Sequence, residues 1–341
     1  MTVSTRVKAF QLTEFNHHKI TAGEVEVGEP GAFEVLVKMK AASLNYRDFL
    51  ISNGLYNPNL KLPLVPFSDG AGEVLKVGEK VTEFKPGDLV CSTFFQDWIA
   101  GSITAQSAST ALGGEIGGVL QAERIFPEHG LVKAPKGYSA AQAATLPCAA
   151  LTAWNSLFEA GNVKAGDQVL VLGTGGVSIF ALQFAKAAGA EVFATSSSDE
   201  KLNRVKALGA DHLINYKESP DWEKPILKAT EKRGVDHIIE VGGAGTVDKS
   251  IKSIKYGGHI SMIGVLAGMG GVDPIKLLMK AIRLQGIFVG SKEMFSNMVR
   301  AIEANDIKPV IDAQTFPAEK AAEAIDYMKA GKHFGKIVLE F

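Results

Sequence analysis

The sequence predicts an α/β protein in which a doubly wound parallel sheet is joined to a β-rich domain. Two observations carry this reading. After Ala149, continuous apolar runs alternate with helical patterns; before it, Gly, Pro and alternating apolar–polar runs dominate. Length agrees, because 341 residues exceed one average domain and suit two.

In the first part, Glu34–Lys40 and Gly72–Gly78 alternate apolar and polar residues, as half-buried antiparallel strands do. Pro86, Gly87 and Asp88 read as a turn feeding the strand Leu89–Cys91. In the second part, Gln168–Leu172 is continuously apolar after its first residue, the pattern of a parallel strand covered on both faces. Val177–Ala188 follows as a helix, with Val177, Ala181, Phe184, Ala185 and Ala188 on one face. The strands Glu191–Thr195, His212–Asn215, Val235–Glu240, His259–Ile263 and Leu284–Val289 come next. Helical stretches at Glu200–Leu208, Trp222–Glu231 and Thr246–Ile254 separate them. Helices are expected at Asn297–Ala304 and Ala318–Ala330, then a terminal strand, Ile337–Phe341. A lone strand cannot stand by itself, so it is expected to join the N-terminal β domain. That gives a discontinuous domain, 1–148 plus 291–341, around a nucleotide-binding domain, 149–290.

Composition excludes several classes. Hydrophobic residues make up 46% and charged residues 21%, ordinary for a soluble globular chain. The net charge of -1 gives no broad basic field for nucleic acid or an anionic membrane. No apolar run reaches membrane-spanning length. Cys91 and Cys148 are the only thiols and make no disulfide framework. Met1–Asn16 is mixed and polar, without a basic-then-apolar pattern, so a reducing, cytoplasmic setting is expected.

The turn between the first parallel strand and its helix carries the chemistry. It reads Gly173, Thr174, Gly175, Gly176, Val177, Ser178. Gly173 and Gly175 permit a tight turn and close backbone approach, and the helix N-terminus favours a pyrophosphate. Ser178 replaces the usual third glycine but is still small. A glycine turn without a ligand is the plain alternative; strand and helix standing where the motif needs them argue against it. Nucleotide sites for NAD usually end the second strand with an acid that holds the ribose hydroxyls. Here Thr195, Ser196 and Ser197 stand there, no carboxylate comes before Asp199, and Lys201 follows. This pattern predicts NADP(H).

These residues resemble the medium-chain dehydrogenase/reductase superfamily, specifically its zinc-independent quinone oxidoreductase and alcohol dehydrogenase-like branch. The landmarks run over nearly the whole chain: Ser43–Asp48, Pro66–Gly72, Pro86–Asp88, Ala144–Trp154, the glycine turn, Gly209–Asp211 with Ile214–Tyr216, Val235–Gly242 and His333–Lys336. The resemblance implies a Rossmann domain and a GroES-like β-barrel catalytic domain, with the active site in the cleft between them. It also implies a homodimer built through the last Rossmann strand, an otherwise open edge. Zinc-dependent relatives hold the catalytic metal with Cys, His and Cys; the matching positions here are Asn45, Ser68 and Cys148. One thiol cannot hold a catalytic zinc, which needs about three protein ligands. The cysteine-rich lobe of the structural zinc is absent as well. His17 and His18 form a pair, but with no partner acids expected nearby they read as surface residues rather than ligands.

In the zinc-free branch, residues matching Asn45 and Thr152 approach the nicotinamide. Those matching Lys201 and Tyr216 help bind the 2′-phosphate. Segments matching Gly264–Val265 and Phe288–Val289 line the nicotinamide pocket, and Phe334, Gly335 and Lys336 cover the cofactor. Tyr46 and Asp48 share the Asn45 loop, with Tyr46 the best proton donor. Asn45 can equally cap a helix starting at Tyr46. The expected function is hydride transfer between NADP(H) and a small quinone, enone or other carbonyl. A zinc-free alcohol dehydrogenase and a catalytically idle NADPH-binding protein are the alternatives.

Overall fold

A computed structural model describes residues 4–264 and 270–341. The chain divides into two units, Met1–Leu151 with Gly290–Phe341, and Thr152–Val289. The first cut falls after Leu151 rather than at the composition change near Cys148. The reason is that Leu146–Ala150 forms one π-helical turn lying against strands Asp69–Val77 and Leu89–Ser92.

The Thr152–Val289 unit contains a six-stranded parallel sheet. Its strands run His212–Asn215, Glu191–Ser196, Gln168–Leu172, Val235–Glu240, Ile254–Met262 and Arg283–Gly286 across the sheet. Chain order reverses beside Gln168–Leu172, so the loop after that strand lies at the topological switch point where ligands of such sheets bind. Val169, Leu170 and Val171 are fully covered, which explains their continuous apolar run. Helix Gly176–Ala187 buries Ile179, Phe180, Leu182 and Phe184, a broader face than one stripe.

The edge strand corrects the sequence reading. It is Arg283–Gly286, not Leu284–Val289. Ile287 N–H still donates to Met262 O at 2.9 Å, but Phe288 and Val289 leave the sheet, and Val289 adopts a left-handed backbone, φ 58°. A β-branched residue pays strain there. The Asn155 amide holds it, Nδ2 donating to Val289 O at 2.8 Å.

The other unit carries mainly antiparallel pairing. Strand Glu34–Ser43 is its centre. One edge pairs with Asp69–Val77; the other is shared by Glu123–Pro127 and by Val338–Glu340 from the chain's end. Leu89–Ser92 and Leu131–Lys133 extend the sheet beyond Asp69–Val77. Hairpin Thr5–Leu12 and Ile20–Val27 adds Ala9 and Phe10 to the same core, with Phe67, Phe126 and Leu339. Covering a large apolar side chain contributes about 1.5–3 kcal/mol. The helices expected at Asn297–Ala304 and Ala318–Ala330 are Lys292–Ala304 and Ala321–Lys329. Among the described residues, no helix is long and apolar enough to cross a membrane.

Candidate active site

Asn45 ends its extended segment and starts helix Tyr46–Ser52. Its backbone N–H donates to Asp48 Oδ2 at 2.8 Å, so the acid three residues on closes the helix start. The Asn45 side chain does something else. Its Oδ1 accepts from Lys336 Nζ at 2.6 Å, and the same ammonium donates to Leu44 O at 2.6 Å. An ammonium only donates, so the amide oxygen must face it and Nδ2 must face away. Nδ2 is buried without a hydrogen-bond partner. It stands near enough to Asp69 to favour that group's ionised form, but outside hydrogen-bond geometry.

Asp69 organises the rest. It is fully buried, 3.9 Å from Lys336 Nζ. Its Oδ1 accepts from Ser68 Oγ at 2.7 Å and its Oδ2 from Cys148 N at 3.1 Å. Burial raises the Asp69 carboxyl, with Lys336, Asn45, Ser68 and Cys148 opposing. Burial likewise pushes the Cys148 thiol up, and the Asp69 charge adds to this. Cys148 is therefore a thiol here rather than a thiolate. So Asn45, Ser68 and Cys148 do converge, but around a carboxylate and a lysine ammonium. The donor set does not suit zinc, because Asn45 and Ser68 leave one thiol among the three ligand positions and a cation already faces the Asn45 oxygen.

Asp48 is also buried, and burial pushes its carboxyl up to about 7. Asn45 N–H, Arg47 and Lys336 pull it down, while Asp69 adds to the rise. The sign follows. A carboxyl raised in the fold favours the protonated state, so this contribution is complete below the unfolded value of 3.8 and is lost as pH climbs through about 7. Asp48→Asn should therefore lose less stability than the wild type between pH 5 and pH 8. The difference is on the order of a few kcal/mol, read from denaturation midpoints. Parallel pH dependence of the two proteins would show that Asp48 ionises as freely folded as unfolded.

The nucleotide turn lies in the other unit. Gly173 has φ 73°, a conformation that favours glycine. Gly175 has an ordinary φ of -77° and caps helix Gly176–Ala187. A Cβ added at Gly175 would meet nothing within 4 Å. Neither strain nor neighbours require glycine there, and its bare backbone is open to the close approach that a pyrophosphate would need. Thr174 is buried beside it, and Ser178 Oγ donates to Leu172 O at 2.7 Å, closing the turn. The free N–H groups of Gly176 and Val177 begin the helix.

At the end of the second strand, Thr195 and Ser196 are buried, and Thr195 Oγ1 accepts from Gly173 N at 3.3 Å. Thr195 thus braces the phosphate turn, leaving Ser197 and the first turn of helix Asp199–Ala207 at the surface. Ser198, which the sequence reading passed over, caps that helix by accepting from Lys201 N. Its position before an acidic first turn was the available signal. Tyr216 is 41% exposed. Thr152 is buried. Gly264 approaches Val241 O so closely that a Cβ would stand 2.0 Å away. Val265 lies outside the described residues. Phe288 is exposed and Val289 buried. Phe334 is fully buried and Gly335 has φ 78°, which turns Lys336 inward toward Asn45.

Comparison with known proteins adds a second line of evidence. Residues 31–136 match the family model described as alcohol dehydrogenase GroES-like domain. Residues 176–304 match the one described as zinc-binding dehydrogenase, a stretch that includes none of Asn45, Ser68 and Cys148. A zinc-type alcohol dehydrogenase-like protein of Schizosaccharomyces pombe is 52% identical over 314 residues, 90% of each chain. A quinone oxidoreductase of Mus musculus is 30% identical over 344 residues, 98% of this chain and 97% of the relative. The crystal structure of an NAD-dependent alcohol dehydrogenase superposes with a TM-score of 0.89 at 34% identity, covering 98% of this chain and 99% of the other.

Proposed function

Since the chain belongs to the medium-chain dehydrogenase/reductase superfamily, we propose that it is a reductase that transfers a hydride between NADP(H) and a small quinone, enone or other carbonyl compound without a catalytic zinc. The observation that carries the zinc-free part is the buried Lys336 ammonium, bonded to the residue at the first metal-ligand position.

The residues divide the work. The N–H groups of Gly175, Gly176 and Val177 would hold the pyrophosphate at the helix N-terminus. Ser197, Lys201 and Tyr216 would hold the 2′-phosphate. Bound NADPH supplies the hydride. Asn45 Nδ2, buried beside Asp69 and without a hydrogen-bond partner, would donate to the oxygen that gains charge, and Lys336 fixes its orientation and adds positive charge. Asp48 holds the Asn45 backbone and so acts through it. The Tyr46 hydroxyl, on a side chain 37% exposed, holds the proton that the reduced product needs.

Consumption of NADPH over a panel of quinones, enones, aldehydes and ketones tests this, with and without a chelator. Turnover with enones or quinones, unchanged by chelation, is expected. Activity that chelation abolishes and zinc restores would overturn the zinc-free reading; no consumption with any substrate would leave an idle binding protein. Oxidation of primary alcohols, preferred over all reductions, would favour the alcohol dehydrogenase reading that the Schizosaccharomyces pombe relative's name suggests.

The homodimer belongs to the same proposal, on changed grounds. The open edge carries Arg283 and Gln285 rather than an apolar run, and charge on an edge resists pairing. Exposed Ile275, Leu278 and Met279 of the preceding helix, Pro274–Lys280, supply the apolar surface instead. A monomeric mass at micromolar concentration would contradict it.

A further inference from the structure

We propose that His17, His18 and Asp326 form a binding site for a divalent transition metal ion, with Zn2+ the ion of choice, separate from the Asn45–Lys336 network. The two histidines have no acid beside them in sequence, and the fold supplies one. The short turn His17–Lys19 lies against helix Ala321–Lys329, which brings Asp326 to both rings. His17 Nε2 stands 2.9 Å from Asp326 Oδ1, and His18 Nε2 stands 3.6 Å from Asp326 Oδ2. The imidazole centroids are 4.1 Å apart, with planes inclined by 38°. Two ring nitrogens and one carboxylate thus converge, one donor atom of each within 4.8 Å of the others.

The surroundings fix which nitrogen is available. Asn53 Nδ2 donates to Phe49 O at 2.8 Å, so Asn53 Oδ1 faces His17 Nδ1, 3.1 Å away. A carbonyl oxygen there requires Nδ1 to carry the hydrogen. In the neutral ring the lone pair then sits on Nε2, facing the carboxylate. Two acceptors in that position need a cation between them. A proton serves one nitrogen; a metal ion serves both nitrogens and the carboxylate together.

Ligand atoms about 2.1 Å from a tetrahedral zinc stand roughly 3.4 Å from one another. The observed 2.9 and 3.6 Å, one to each carboxylate oxygen, bracket that spacing. Two imidazoles and one carboxylate favour zinc or copper over the hard cations magnesium and calcium. The oxygen on His17 Nδ1 is the outer partner that metal-bound histidines usually have. His17 is buried, and Asn16 holds the His18 backbone by accepting from His18 N at 3.0 Å. His18 and Asp326 are half open to water, which gives the ion an entry and a water the fourth position. A bound ion would tie the turn near the N-terminus to the C-terminal helix of the same unit.

Calorimetric titration of tag-free, chelator-stripped protein with ZnCl2 tests the site. One equivalent should bind, and it should raise the melting temperature. His18→Ala and Asp326→Asn should each remove that equivalent and the thermal shift, while circular dichroism shows the fold retained. Asn53→Leu should weaken binding by about ten- to a hundredfold. NADPH-dependent turnover should not change in these variants or on adding zinc, so this result and the zinc-free catalytic reading fail independently. Absence of saturable binding would overturn the proposal. So would one equivalent retained in both variants, which would place the ion at another pair such as His212–Glu191.

Discussion

Lys336→Met is expected to lower kcat by about a hundredfold or more while changing the affinity for NADPH little. Lys336 is 3% exposed, and its ammonium bonds Leu44 O and Asn45 Oδ1. Without it the Asn45 amide is free to rotate, and the Nδ2 donor loses its direction. Small misplacement of a catalytic group costs about a hundredfold, and loss of one donor to a developing oxyanion about a hundred- to a thousandfold. Removing Lys336 also costs stability, roughly 3–5 kcal/mol, because the buried Asp69 loses the cation that opposes the effect of burial on its carboxyl. The double variant Asp69→Asn with Lys336→Met removes both charges and separates the two effects. Its stability should recover and its kcat should not. Asn45→Ala should show the same pattern, with turnover falling more than cofactor affinity. Steady-state kinetics and cofactor titration decide the matter: a folded double variant with wild-type kcat would reduce Lys336 to a structural counter-ion.

What the sequence revealed followed the range of the interactions. The parallel sheet was legible because burial on both faces writes a continuous apolar run, as in Val169–Val171. The glycine turn was legible because its demands are local. So was the helix start at Asn45, where an acid three positions later closes the first turn. The misread elements were set from far away. Ile287, Phe288 and Val289 look like strand, yet Asn155 holds Val289 in a left-handed conformation across 134 positions. Asn45 meets Lys336 across 291 positions, and His17 meets Asp326 across 309. No local pattern marks such pairs. The residue types at Asn45, Ser68 and Cys148 were visible from the start; that a lysine ammonium and an aspartate link them needed the fold.

Lys201→Ala is expected to weaken NADPH binding by about ten- to a hundredfold and to leave NADH nearly unchanged. The strand Glu191–Ser196 ends without a carboxylate. The first acid beyond it, Asp199, accepts from Asn215 Nδ2 at 2.8 Å and begins the next helix. A carboxylate on the ribose would repel a 2′-phosphate, and none ends this strand. Thr195 and Ser196 are buried at the strand end, so the less covered Ser197, Lys201 and Tyr216 are the residues proposed to meet the phosphate. Lys201 lies in the first turn of helix Asp199–Ala207, where the helix dipole also favours an anion. A hydrogen bond to a charged group contributes about 1.5–3 kcal/mol, which corresponds to that range of affinity. NADH has no 2′-phosphate and should not register the change. The similar crystal structure named for NAD dependence makes the comparison necessary for this chain. Fluorescence titration of wild type and Lys201→Ala with each cofactor settles it. Equal wild-type affinities for NADPH and NADH, or equal losses for both in the variant, would refute NADP(H) preference.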